Sequence, residues 1–162
     1  MKLIRSSVEI IPQEAGYEGI FKRIPVRFII PIGIKCEFIK YRSLFSISEQ
    51  LPRYCNYTFS KFGNELTFIE PYWWDSNIDE RLEFLQSCET SEKMYLQLIK
   101  RGMAPQFAQD VLLLSTKTEI IMTGVIDDWK QFFTKQCSEN AHPQVKVLAT
   151  DLKELFKINN LL

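Results

Sequence analysis

The chain carries one histidine, His142, and four cysteines, Cys36, Cys55, Cys88 and Cys137, with no C-x-x-C pair among them. Zinc sites need clustered thiolates and imidazoles at short spacings, and disulfide scaffolds need dense cysteine, so neither is expected. Net charge is absent as well: 20 Lys and Arg balance 20 Asp and Glu, with a pI near 6.6. Nothing drives wholesale attraction to duplex DNA or an anionic membrane, and any charge selectivity has to come from local clusters. Nowhere do eighteen apolar residues run together, and Met1-Lys2-Leu3-Ile4-Arg5 returns to polar residues before a leader core could form. The reading is a reduced, cytoplasmic protein with neither membrane nor nucleic acid polymer among its partners. Repeats, linkers and low-complexity tracts are also missing. Residues 1–162 are therefore read as a single domain, long enough to bury a core.

What is present is a succession of β-branched runs and amphipathic stretches. Leu3 to Ile11 predicts extended chain, Pro12 to Gly19 a turn-rich connection, and Val26 to Ile30 a strand confined by Pro25 and Pro31. Ile34 to Arg42 predicts a helix with Ile34, Phe38 and Ile39 on its buried side and Glu37, Lys40 and Tyr41 toward another face. Leu44 to Tyr57 reads as either loop or strand, since Pro52 excludes a continuous helix. Leu66 to Ile69 predicts a strand, ended by Pro71 and by Tyr72-Trp73-Trp74, an aromatic turn read as a packing or interface anchor. Asp79 to Arg101 predicts a long amphipathic helix carrying Leu82, Leu85, Cys88, Tyr95, Leu96 and Ile99, with Gly102 as its stop. A short helix opens at Pro105, and Thr118 to Thr123 is extended. Asp127 or Asp128 caps a helix bearing Trp129, Phe132 and Phe133. Pro143 starts the last helix, with Val145, Leu148, Leu152 and Leu155 as its buried stripe and Lys146 off it.

Chemistry concentrates between Cys36 and Tyr57. Lys40, Arg42 and Arg53 are cations able to hold phosphate or carboxylate, Arg by a planar fork and Lys as a point charge, and Tyr41, Tyr54 and Tyr57 offer rings for stacking. That is the composition of a nucleotide pocket. It is equally the composition of a solvated basic helix followed by a polar loop.

The stretch resembles the signature of the flavin-dependent thymidylate synthases (ThyX), approximately R-H-R-x-x-S-x-(N/Q)-E-x-S-x-R-Y. The resemblance continues through Arg53-Tyr54-Cys55-Asn56-Tyr57, through Lys61-Phe62-Gly63-Asn64-Glu65-Leu66-Thr67 and into Trp73-Trp74. Two further blocks, Leu114 to Gly124 (L-S-T-K-T-E-I-I-M-T-G) and Ala141-His142-Pro143-Gln144-Val145-Lys146, resemble that family's S-(T/L)-K-T-E-I-V-M-T and A-H-P-Q-M-R. Together the ordered blocks cover most of residues 26 to 156. With the strand runs and stripes, the resemblance implies an α/β fold of α+β type, a small, mostly antiparallel sheet packed against long helices.

It also implies reductive methylation of dUMP, with FAD as hydride carrier, methylenetetrahydrofolate as one-carbon donor, NADPH as reductant and a homotetramer as the assembly. Arg53 stands in the column of the arginine that clamps the dUMP phosphate. Lys146 stands where an arginine helps ionise N3 of the pyrimidine, and Glu37 and Glu49 are substrate-side acceptors. Lys40, Tyr41, Arg42, Glu49 and Asn140 fall on the flavin side. No protein cysteine attacks the base in that family, and none here has a histidine or a cluster of cations to make it an obvious thiolate. Cys55 is read as a small buried residue.

The departures are local. Lys40-Tyr41-Arg42 replaces R-H-R, one extra residue lies between Arg42 and Ser46, Leu51 takes the column of the second serine, and Glu119 stands where other branches have a dUMP-binding arginine. The segment before Val26 is shorter than the family's usual one, which supplies a flavin-contacting histidine. Because these changes fall mainly on the flavin side, weakened flavin binding is expected. The alternative reading is a nucleotide-binding homologue on the same fold that has lost turnover.

Overall fold

The computed structural model describes residues 1–12, 22–50, 57, 63–75 and 77–162. In chain order the elements are β1 (Lys2–Ile4), β2 (Ser7–Ile10), β3 (Ile24–Pro31), α1 (Cys36–Ile39), β4 (Ser46–Glu49), β5 (Thr67–Ile69), α2 (Ile78–Lys100), α3 (Pro105–Ala108), β6 (Lys117–Gly124), α4 (Ile126–Gln136) and α5 (Pro143–Ile158). They form two compact units, each with its own core. The mixture is α+β.

One unit comprises Ser6–Ile30, Ile34–Glu49 and Glu119–Leu162. Its sheet has the order β2-β3-β6-β4. β2 runs antiparallel to β3, with Val8 opposite Phe28, and β4 antiparallel to β6, with Ile47 opposite Met122. β3 and β6 bury every second residue, as strands with one covered face must. Ile24, Val26, Phe28, Ile30, Ile120 and Met122 thereby line a single face, onto which α4 brings Trp129, Phe132 and Phe133 and α5 brings Val145, Leu148, Leu152 and Phe156. The Trp129 indole N–H is not stranded in this core, because it donates to the Ile24 carbonyl at 3.2 Å. The α5 stripe closes on Phe156, four residues after Leu152, whereas Leu155 is only half-buried. At the start of α4 the Asp128 carboxylate accepts from the Val125 N–H at 3.0 Å, satisfying a donor that the helix leaves free.

The expected helix from Ile34 to Arg42 is shorter. A 3-10 turn (Ile32–Ile34) leads into α1, and further turns follow, with Arg42 N–H bonded to Ile39 O and both Leu44 and Phe45 N–H bonded to Tyr41 O. The buried positions are Ile34, Phe38, Tyr41 and Phe45. Tyr41 is therefore a core residue, contrary to the face assigned from spacing. It lies three residues after Phe38 and so on the same side of the turn, where its ring meets Phe45 and Phe132 edge-on. Ile39 is half-buried.

The other unit comprises Met1–Arg5, Pro31–Gly33 and Gln50–Thr118. Here β1 and β5 pair in parallel, with Leu3 opposite Phe68, and Phe68 makes an antiparallel bridge to Thr116. α2 is capped by Asn77, whose side chain accepts from the Asp79 N–H. It packs Cys88 and Tyr95 against Leu66, Phe68, Tyr57 and Ala108, while the buried Ser91 hydroxyl donates to the Val111 carbonyl at 2.7 Å. Leu82, expected on the buried stripe, is 60% exposed. The stripe reaches back through Phe84, and a residue two positions from Phe84 lies almost on the opposite side of a helix with 3.6 residues per turn. The aromatic turn anchors this helix start: Trp73 and Trp74 meet Phe84 edge-on, and the Arg81 guanidinium donates to the Trp74 carbonyl and lies over the Trp74 ring. Among the described residues no helix is long and apolar enough to cross a membrane.

Candidate functional site

In the first-described unit, the turn carrying Glu37, Lys40 and Tyr41 faces the end of α4 and the segment leading to α5. Between them lies a cleft of about 680 Å³, lined by Glu37, Lys40, Tyr41, Ser43 and Leu44 on one side and by Thr134, Lys135, Gln136, Ser138, Asn140 and Ala141 on the other. That volume lies in the usual range for small-molecule sites. The floor is rigid because two buried polar groups satisfy each other: Gln136 Nε2 donates to the Tyr41 hydroxyl at 2.8 Å, with the residues 2% and 5% exposed. Above this floor are two ammonium groups, Lys40 Nζ at 5.7 Å and Lys135 Nζ at 5.9 Å from the Tyr41 ring centre, within reach of the ring's negative face. Lys40 also pairs with the Glu37 carboxylate.

Four of the residues singled out by sequence, Glu37, Lys40, Tyr41 and Asn140, are thus brought together. The other described ones are not in this cleft. Arg42 is exposed on the following turn. Glu49 lies on β4 opposite Ile120, its carboxylate 3.0 Å from Lys35 Nζ, close enough for charge pairing but out of line for a hydrogen bond. Lys146 lies in the first turn of α5, half-buried, its backbone N–H bonded to the His142 carbonyl. Arg53, with Tyr54 and Cys55, lies outside the described residues. Tyr57, read as a stacking ring, is buried and meets Tyr95 edge-on.

Lys135 and Gln136 escaped the sequence reading. The signal was there: Gln136 falls three and four residues after the buried Phe133 and Phe132, so a polar amide sits on an aromatic stripe and needs a buried partner. Chemically, the cleft offers ammonium, hydroxyl and amide groups. Among the described residues there is no group of three or more His, Cys, Asp and Glu able to hold a metal ion. The donor set suits an organic ligand with an anionic end.

A family model described as thymidylate synthase complementing protein matches residues 14–158. The chain is similar to a probable flavin-dependent thymidylate synthase of Paramecium bursaria Chlorella virus 1, 33% identical over 84 residues, which is 52% of this chain and 36% of that protein. It is also similar to a flavin-dependent thymidylate synthase of Synechocystis sp., 25% identical over 68 residues, 42% of this chain and 32% of that protein. The matched stretches span about a third of the length of these curated relatives. The family match runs through every element of the cleft, and the chain belongs to the thymidylate synthase complementing protein family.

Proposed function

We propose that this protein acts in flavin-dependent thymidylate synthesis, converting dUMP to dTMP with methylenetetrahydrofolate as carbon donor and NADPH as reductant. The observation that carries the reading is the cleft itself, where Glu37, Lys40 and Tyr41 meet Asn140 from a distant part of the family match. When bound, FAD supplies the hydride transfer. The chain's own part is to hold and orient: Lys40 and Asn140 at the polar rim, Tyr41 and Gln136 as a fixed floor, and Arg42 on the adjoining turn.

On the substrate side, Arg53 is the phosphate clamp, a fork suited to bidentate bonds. Lys146 stabilises the N3 anion of the pyrimidine. An ammonium in the first turn of a 16-residue helix sits beside the positive end of the helix dipole, so an anion next to it is favoured on both counts. Glu37 and Glu49 accept hydrogen bonds from the ligands. The working assembly is a homotetramer.

The test is direct. Purified protein is mixed with excess FAD, dUMP, methylenetetrahydrofolate and NADPH, and dTMP is followed together with the visible flavin spectrum. Product that depends on all four is expected. Binding of dUMP without product would mark a nucleotide-binding homologue instead, and binding of neither dUMP nor FAD would refute the reading.

A further inference from the structure

Lys135 is left over from the account above. A lysine in the last turn of α4 is ordinarily explained by the negative end of the helix dipole and by solvent. Its ammonium lies instead over the Tyr41 ring, on which Lys40 also converges. Two like charges drawn to one ring repel, and among the described residues lining the cleft the one carboxylate, Glu37, is paired with Lys40. Among the described residues no carboxylate pairs with Lys135. The ring they share is fixed by Phe45, Phe132 and the Gln136 amide, so the charges converge on a preorganised platform.

We infer that Lys135 and Lys40 form a two-ammonium clamp for a diphosphate group, with Lys135 as the cation to which no described residue brings a carboxylate. A diphosphate carries at least two negative charges, matching the two cations once Glu37 gives up Lys40, and its several oxygens offer acceptors to more than one amine. The rim hydroxyls add little, since Thr134 donates to Lys130 O and Ser138 to Lys135 O. The clamp deepens the proposed function, on which it rests only for the ligand being FAD; the geometry asks for a diphosphate of any origin.

Calorimetry on the full chain with FAD, riboflavin and inorganic pyrophosphate tests it, using wild type, Lys135→Gln and Lys135→Arg. Wild type should bind FAD more tightly than riboflavin. Lys135→Gln should weaken FAD and pyrophosphate by about tenfold and leave riboflavin unchanged, the loss of one charged hydrogen bond, and Lys135→Arg should restore most of it. Binding of pyrophosphate that Lys135→Gln weakens about tenfold, with no FAD binding, would retain the clamp and remove the thymidylate synthase reading. FAD binding untouched by Lys135→Gln, an equal loss for FAD and riboflavin, or no binding of either FAD or pyrophosphate would overturn the clamp. Thermal unfolding of both variants near the wild-type midpoint is expected, because the side chain is exposed.

Discussion

The Tyr41–Gln136 pair permits a quantitative test of how the cleft floor is held. Both groups are buried and each is the other's partner, Gln136 Nε2 to Tyr41 OH at 2.8 Å. Tyr41→Phe strands an amide N–H in the core, and Gln136→Leu strands a hydroxyl, so each should destabilise by about 1–3 kcal/mol. Making both changes together leaves two apolar side chains of similar volume and no orphan, so the double variant should be far less unstable than the sum. The coupling energy should be about 1–2 kcal/mol. Urea denaturation followed by tryptophan fluorescence reads this out, since Trp129 packs on Phe132 in the same core. With an m-value of about 2 kcal/mol/M, each single variant moves the midpoint down by about 0.5–1.5 M. Strictly additive midpoint shifts would refute the argument, because they would mean that water satisfies both groups and that the floor is not preorganised.

Other outcomes follow from the same geometry. Gly124→Ala places a Cβ 2.6 Å from the Phe45 ring, which is itself held edge-on to Trp129, so it should destabilise by about 1–3 kcal/mol in thermal or urea unfolding. Burial pushes the Cys88 thiol up to about 11 from its ordinary 9.0, so at pH 8 a thiol reagent should label exposed Cys36 quickly and Cys88 only in denaturant. Because the unfolded Cys88 thiol releases its proton first, stability from this group is intact below pH 9 and falls as pH rises toward 11. Urea midpoints across that window should drop less in Cys88→Ala. Arg53→Ala should weaken dUMP by about tenfold or more in calorimetry while leaving uridine unchanged; equal dUMP affinity in the two proteins would remove Arg53 from the site.

The residue pattern alone determined a good deal. The β-branched and aromatic runs over Val26–Ile30 and Thr118–Thr123 called for strands, and the apolar residues of α4 and the stripe of α5 called for helices; the alternate burial along both strands came with the packing. The α+β class and the family were legible for the same reason: they depend on long runs of residues, over which local irregularities average out. What periodicity cannot report is which distant residue becomes a partner. It placed Tyr41 with Glu37 and Lys40 on another face, although the i, i+3 and i, i+4 spacings to Phe38 and Phe45 set all three on one side, where the core takes them. It expected Leu82 in the α2 stripe and could not choose the parallel pairing of β1 with β5. Lys135 carried no signature of its own. Only packing brings its ammonium over a ring 94 residues earlier in the chain, because a buried hydroxyl and a buried amide must find each other when the helix and the turn close on one core.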